Sequence, residues 1–264
     1  MQEMDVTSWE QFVGFVDRLD VGSPTQPPYA YRGQSDASWG LVPSLVRKCQ
    51  RFGVDEEQAL RIEEFALTEF RSQAHLHVPP NIFATTTDTV SWWTLMQHHG
   101  APTRLLDWCH SPYVAAYFAV VGHPDSPGAL WWVHTGTVRS AMDEKYEGTD
   151  WPKTESVVQD RFLRAGAPPV LLFATRKSKT DRMVAQQGLF SISRQVLGDH
   201  GSLVGECIPE DSPKELFRKV VIPAAQKNTF LRKLRNLNIT ASSLFPGLDG
   251  LARSVDELIQ ISGE

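Results

Sequence analysis

Apolar positions along this chain recur at helical spacing in some stretches and alternate, or run together, in others. Trp9, Phe12, Phe15 and Val16 form one stripe, and Ser8 with Gln11 has capping-box spacing, so a helix is expected over Ser8–Leu19. Val21–Pro28 reads as a loop by its Gly, Ser and Pro content, Tyr29–Arg32 as a short strand, and Ser35–Val46 as irregular. The longest helical pattern runs from Asp55 to about Gln73. Three acidic residues favour its start, and Leu60, Ile62, Phe65, Ala66, Leu67 and Phe70 supply a buried face. Pro79, Pro80 and the Thr-rich stretch Thr85–Thr89 end it, and Ser91–His98 is a second helix.

Pro102–Trp108 reads as a strand with Thr103, Leu105 and Asp107 on one face and Arg104, Leu106 and Trp108 on the other. Ser111 as N-cap and Pro112 at the first helical position then open a helix, Tyr113–Val121, that is apolar nearly all round and belongs in the core. Ala129–His134, Pro169–Phe173, Gly188–Ser193 and Lys219–Ile222 are strand-like. A basic amphipathic helix over Pro223–Leu237 and a last helix near Ser254–Ile261 close the chain. Gly136–Ser156 is the best candidate break, yet the strands on either side read as one sheet. The expectation is a single α+β domain over residues 1–264, helices mostly in the first half and short strands mostly in the second.

Composition narrows the function classes. With 41% apolar and 22% charged residues the chain is an ordinary globular one. Its net charge of -5 gives nucleic acid no global attraction, so such a partner needs a local basic patch. Lys227, Arg232, Lys233 and Arg235, with Arg161, Arg164, Arg176, Lys177 and Lys179, are the candidates; a solvated helix face and loop explain them equally simply. Cys49, Cys109 and Cys207 are far apart and form no CxxC, which argues against a disulfide scaffold and a structural zinc site. The acidic N-terminal segment does not read as a signal peptide, no apolar run approaches a membrane span, and the expected place is the cytosol.

Four segments carry polar residues where chemistry is possible. In YRGQ (Tyr31–Gln34) an Arg ending a strand before Gly suits anion binding, the Gly allowing a ligand close to the backbone; a salt-bridged Arg before a turn is the plainer reading. In QHHGAPTRLLDW (Gln97–Trp108) Arg104 and Asp107 are costly on a buried strand unless paired or used. His98 and His99 suit a helix end, and no metal signature surrounds them. Cys109 is a weak candidate nucleophile that would need His98 or His99 as base. In RMVAQQGLFSIS (Arg182–Ser193) Gln186 or Gln187 can offer an amide to a hydroxyl.

The order of these segments is more informative than any one of them. YRGQ, a long helix, QHHGAPTRLLDW followed by SPYVAAYFA, then R-x-x-x-QQG-x-F and LFPGLDGLA resembles the FRG domain family over roughly Ser8–Ala252. The arrangement also resembles the ADP-ribosyltransferase superfamily, which implies a mixed, split β-sheet and NAD as substrate. On that resemblance Arg32 matches the NAD-contacting Arg, Thr103–Cys109 with Val114–Ala119 matches the second strand and its helix, and Gln186 or Gln187 falls near the third position. Asp107-Trp108-Cys109 departs from the usual Ser-Thr-Ser strand, and no Glu stands at the third position; Asp107 is the residue able to supply the missing negative charge.

The resemblance therefore implies an NAD-dependent transfer of ADP-ribose to a macromolecular acceptor, nucleic acid (RNA included) or protein, as in a bacterial toxin or phage-defence effector with a cognate antitoxin. Arg32, Asp107, Gln186 and Gln187 would be catalytic, with Tyr31, Gly33, Gln34, Thr103, Arg104 and Phe190 against the nucleotide and Tyr31 or Phe190 stacking on nicotinamide. Two other readings are a non-catalytic nucleotide- or partner-binding module, supported by the missing Glu, and a thiol or metal hydrolase built on Cys109 with His98 or His99.

Overall fold

The computed structural model describes residues 3–19, 28–145, 170–175, 180–208, 212–213 and 216–263. Strand β1 (Glu3–Asp5) and helix α1 (Trp9–Val16) open the chain, α1 capped by the Ser8 hydroxyl. Strand β2 (Tyr29–Gln34) is followed by α2 (Ser44–Phe52) and by α3 (Glu56–Ala74), which starts on a complete capping box between Asp55 and Gln58. Short α4 (Pro80–Thr85) and α5 (Thr89–His98) lead to β3 (Leu105–Cys109) and α6 (Pro112–Val120), with Ser111 as N-cap as the sequence predicts. Then come β4 (Gly128–His134), α7 (Thr135–Lys145), β5 (Leu171–Ala174), α8 (Asp181–Ala185), β6 (Gly188–Ser193) and α9 (His200–Cys207). Strand β7 (Phe217–Ile222), α10 (Lys227–Asn236), α11 (Ala241–Leu244) and α12 (Leu248–Ser262) finish the fold.

The strands form one mixed seven-stranded sheet in the order β1-β7-β4-β2-β3-β6-β5, parallel only between β1 and β7. One face is packed by α1, α6 and α10 through Phe12, Tyr31, Val114, Tyr117 and Phe230, and the other by α7 and α9 through Val138, Met142, Leu203 and Val204. A third cluster, with Trp93, Met96, Met183 and Phe190, seats α5 and α8 on β3 and β6. Helix α6 approaches the sheet through two glycines. A Cβ at Gly33 would lie 1.8 Å from the Ala115 carbonyl oxygen, and one at Gly128 2.0 Å from that of Ala119. The Gly of YRGQ thus serves helix–sheet packing, where the sequence suggests room for a ligand.

Two expectations are corrected. Helices are not concentrated in the first half, since α7 to α12 follow β4. The segments behind α8 and α9 are only five and eight residues long, so they carry little periodic signal. The basic helix α10 also uses part of its charge inside the fold, while the side chains of Arg232, Lys233 and Arg235 stay exposed. Lys227 is buried and donates to the carbonyls of Ser35 (2.6 Å), Gly122 (3.2 Å) and His123 (2.8 Å). Arg232 donates to the Ile261 carbonyl, and Arg235 pairs with Glu257, whose carboxylate also accepts from the Ala241 N–H. These cations hold α12 and two loops in place. Arg161, Arg164, Arg176, Lys177 and Lys179, and most of the stretches at Val21–Pro28 and Gly136–Ser156, lie outside the described residues. Among the described residues no helix is long and apolar enough to cross a membrane.

Candidate functional site

The site grows out of a fork in the sheet. Strand β2 pairs with β4 at six positions and β3 with β6 at five, but β2 and β3 pair only at Tyr31 and Cys109. The split expected of the sheet is thus a local divergence within one continuous sheet. Arg32 occupies it. Its Nη1 donates to the main-chain carbonyl of Asp107 at 2.7 Å, and its buried Nε has no hydrogen-bond partner among the described residues. Burial pulls the Arg32 pKa down from its ordinary value, and the Asp107 carboxylate opposes that effect.

Pleating sends the Asp107 side chain to the opposite face from Trp108, where it is accessible at the floor of a cavity of about 180 Å³. Gln97, His98, Arg182, Gln186 and Phe190 share the walls. Both carboxylate oxygens accept from Gln97 Nε2 at 2.7 Å. The amide is itself oriented, because Thr103 Oγ1 donates to Gln97 Oε1 at 2.5 Å. Enclosure by protein raises the Asp107 pKa. The Arg32 and Arg182 charges and the Gln97 hydrogen bonds act in the other direction without cancelling it. The cavity thus presents one carboxylate held in a defined orientation by a neutral amide, with a cation on the wall.

The remaining sequence candidates separate into two groups. Gln186 lines the cavity, its Nε2 donating to the Leu244 carbonyl at 3.1 Å, and Phe190 forms a wall from its place in the core. Gln187 turns away: it is exposed, has φ 49°, and its carbonyl accepts from His110 N. Tyr31 faces α6 inside the core, which places it away from the cavity and from any stacking role there. Gln34 is buried between Trp131 Nε1, from which it accepts at 2.6 Å, and the Gly40 carbonyl, to which it donates at 2.9 Å. Arg104 is fully enclosed. It pairs with Glu63 of α3, donates to the carbonyls of Ser193 and Arg194, and stacks on Trp93 at 5.2 Å. It forms an enclosed ion pair and does not line the cavity. Thr103 is buried and reaches the site only through Gln97.

Cys109 is buried, its thiol donating to the Tyr31 and Ser111 carbonyls, and burial pushes its pKa up to about 12. A thiolate is therefore absent at neutral pH, which removes the basis for a thiol nucleophile. His98 and His99 have ring centroids 5.0 Å apart at the end of α5, and only His98 lines the cavity. Among the described residues no group of three His, Cys, Asp or Glu side chains is placed to hold a metal ion. Behind β3, the Ser191 hydroxyl accepts from Trp108 Nε1 at 2.8 Å and meets His200 Nδ1 at 2.7 Å. His200 is completely buried with its pKa near 3, hence neutral, and it shares a hydrogen bond with Ser191 whose direction its tautomer sets.

Gln97 and Arg182 are site residues that sequence patterns do not single out. A usable signal was present for Arg182: it stands four residues before Gln186, a spacing that puts both on one face of a helical turn. Gln97 depends on the fold, because the loop after α5 must return along β3 to bring it to Asp107.

The FRG domain family matches residues 27–127, the part of the chain that carries β2, Arg32, α5, β3 with Asp107, and α6. No curated protein and no solved structure gives a significant match.

Proposed function

We propose that this protein is an NAD-dependent ADP-ribosyltransferase acting on a macromolecular acceptor. The observation that carries the reading is the Asp107 carboxylate, pinned by Gln97 in a cavity it shares with Gln186, on a strand whose Asp107 carbonyl accepts from Arg32. Strands β2 and β3, which bear Arg32 and Asp107, and β6, which follows Gln186 after the end of α8, are neighbours in the sheet. In the transfer, the bond between ribose C1 and the nicotinamide nitrogen breaks and nicotinamide leaves with the electron pair. An acceptor nucleophile then bonds to C1 and gives up its proton. Positive charge develops on the sugar, and a fixed carboxylate stabilises it. Asp107 takes that role and is also placed to receive the acceptor's proton; Gln186 orients a ribose hydroxyl. Arg32 acts as a positioning residue, fixing the backbone that carries Asp107.

The cavity also limits the substrate pose. At about 180 Å³ it is smaller than the roughly 300–1,000 Å³ of typical ligand pockets, so only the nicotinamide-ribose end of a dinucleotide would enter. A second reading, a nucleotide-binding module without turnover, is favoured by one observation: among the described residues Asp107 is the only carboxylate lining the cavity, and β6 offers none. Incubating the protein with labelled NAD and cell lysate, then digesting with nuclease or protease, tests the proposal. Label removed by nuclease identifies a nucleic-acid acceptor and label removed by protease a protein one; NAD binding with neither label nor nicotinamide release supports the module. Growth arrest on expression would favour the toxin or defence setting, and protection by a co-expressed neighbour an antitoxin.

A further inference from the structure

Two arginines beside the cavity have no ion-pair partner among the described residues. Arg182 lines the cavity and is half-buried, while Arg253, on the first turns of α12, is exposed. Both guanidiniums stack on one ring, that of Phe245, at 4.7 Å and 4.4 Å from its centroid. Asp107 and Asp249 lie in the field of Arg182, yet among the described residues no carboxylate comes within ion-pair distance of either arginine. Burial pulls the Arg182 pKa down, so this cation is held partly desolvated, next to a second cation, without a fixed counter-charge.

The platform beneath them is rigid. Phe245 is buried and meets Phe118 edge-on at 6.0 Å. The start of α12 presses against it, since a Cβ at Gly250 would lie 1.8 Å from the Phe245 carbonyl oxygen. Gln186 ties the preceding carbonyl, that of Leu244, to the cavity wall. Two guanidiniums thus share one aromatic seat, Arg182 on the cavity wall and Arg253 exposed beside it.

We propose that Arg182 and Arg253, seated on Phe245, form an anion subsite that binds the diphosphate of the nucleotide as it leaves the Asp107 cavity. This rests on the reading of the cavity as the seat of the nicotinamide-ribose end. The anion-binding role that YRGQ suggests for Arg32 passes to these two residues, because Arg32 donates to the Asp107 carbonyl and does not line the cavity. A diphosphate suits the pair better than a single carboxylate, since two separate guanidiniums can each take one phosphate.

Isothermal titration of the full chain with ADP-ribose and with inorganic pyrophosphate tests this, using Arg182→Gln, Arg182→Lys, Arg253→Gln and, as control, the exposed Lys233→Gln. Loss of a charge-assisted hydrogen bond predicts about tenfold weaker ADP-ribose binding in Arg182→Gln and in Arg253→Gln. Arg182→Lys should be affected less, and Lys233→Gln should bind as wild type. Pyrophosphate should compete with ADP-ribose in wild type and lose that ability in the two Gln variants. Binding within twofold of wild type in both Gln variants overturns the subsite, as does equal weakening by Lys233→Gln or a wild-type protein that binds neither probe. Loss confined to a single-stranded RNA oligonucleotide, with ADP-ribose unaffected, also overturns it and reassigns the pair to the acceptor. Nicotinamide release from NAD is measured in parallel: its absence alongside the expected binding pattern sinks the transferase reading while the subsite stands.

Discussion

Arg104 and Asp107 stand three residues apart on one short segment, and in sequence they pose the same problem, a charge on a strand entering the core. The fold treats them oppositely. Arg104 is closed in by Glu63, two carbonyls and the face of Trp93, so every part of its guanidinium is answered by the protein. Asp107 faces a cavity, held by one neutral amide and flanked by cations that do not pair with it directly. A charge that the fold fully satisfies holds structure together. One that is oriented but left open is available to a ligand.

The largest expected difference is in stability. Removing one partner of the enclosed pair, by Glu63→Gln or Arg104→Met, should cost about 3–5 kcal/mol in urea unfolding, because the remaining charge stays buried and uncompensated. The double change Glu63→Leu with Arg104→Met should recover most of that loss. Asp107→Asn should shift the same unfolding curve by no more than about 1 kcal/mol. If Asp107→Asn proved as destabilising as Glu63→Gln, the contrast between the two charges would collapse.

Gln97 sharpens the contrast from the site's side. Gln97→Leu should lower kcat about tenfold by freeing the carboxylate to rotate. It should also move the acidic limb of the kcat–pH profile upward, since the hydrogen bonds being removed hold the Asp107 pKa down. An unchanged profile would mean that Gln97 is merely packing.

A smaller effect concerns pH. The folded-state pKa of Asp107 is raised, so between the unfolded value near 3.8 and the folded one the native state binds more protons than the unfolded state. Stability from this group is complete below that window and falls as pH rises through it. The stability of Asp107→Asn relative to wild type should therefore increase across the window, which paired unfolding curves at stepped pH values would show. The smallest effect is expected at Cys109: with no thiolate at neutral pH, Cys109→Ala should leave turnover within about twofold of wild type while costing roughly 1 kcal/mol of packing.

How much of this the sequence reveals depends on the range of the interactions involved. Strand β3 and helix α6 are legible because alternation and the Ser111–Pro112 start are local signals, and Asp107 stands out as a carboxylate on an otherwise buried strand. The fate of Arg104 is not legible, because its partner Glu63 lies 41 residues upstream on another helix. Arg32 reads as a ligand-facing cation until the register of β2 against β3 places it under the Asp107 carbonyl. Gly33 reads as space for a ligand until α6 is seen filling that space. The choice between Gln186 and Gln187 turns on one positive φ, which no pattern in QQG specifies.

The most direct test follows nicotinamide release from NAD by wild type and Asp107→Asn, both shown folded by coincident unfolding curves. Loss of a fixed charge aimed at the developing cation predicts a rate about 10²–10³ lower in Asp107→Asn at neutral pH. Equal rates in two folded proteins would contradict the assignment of Asp107 as the working charge of this site.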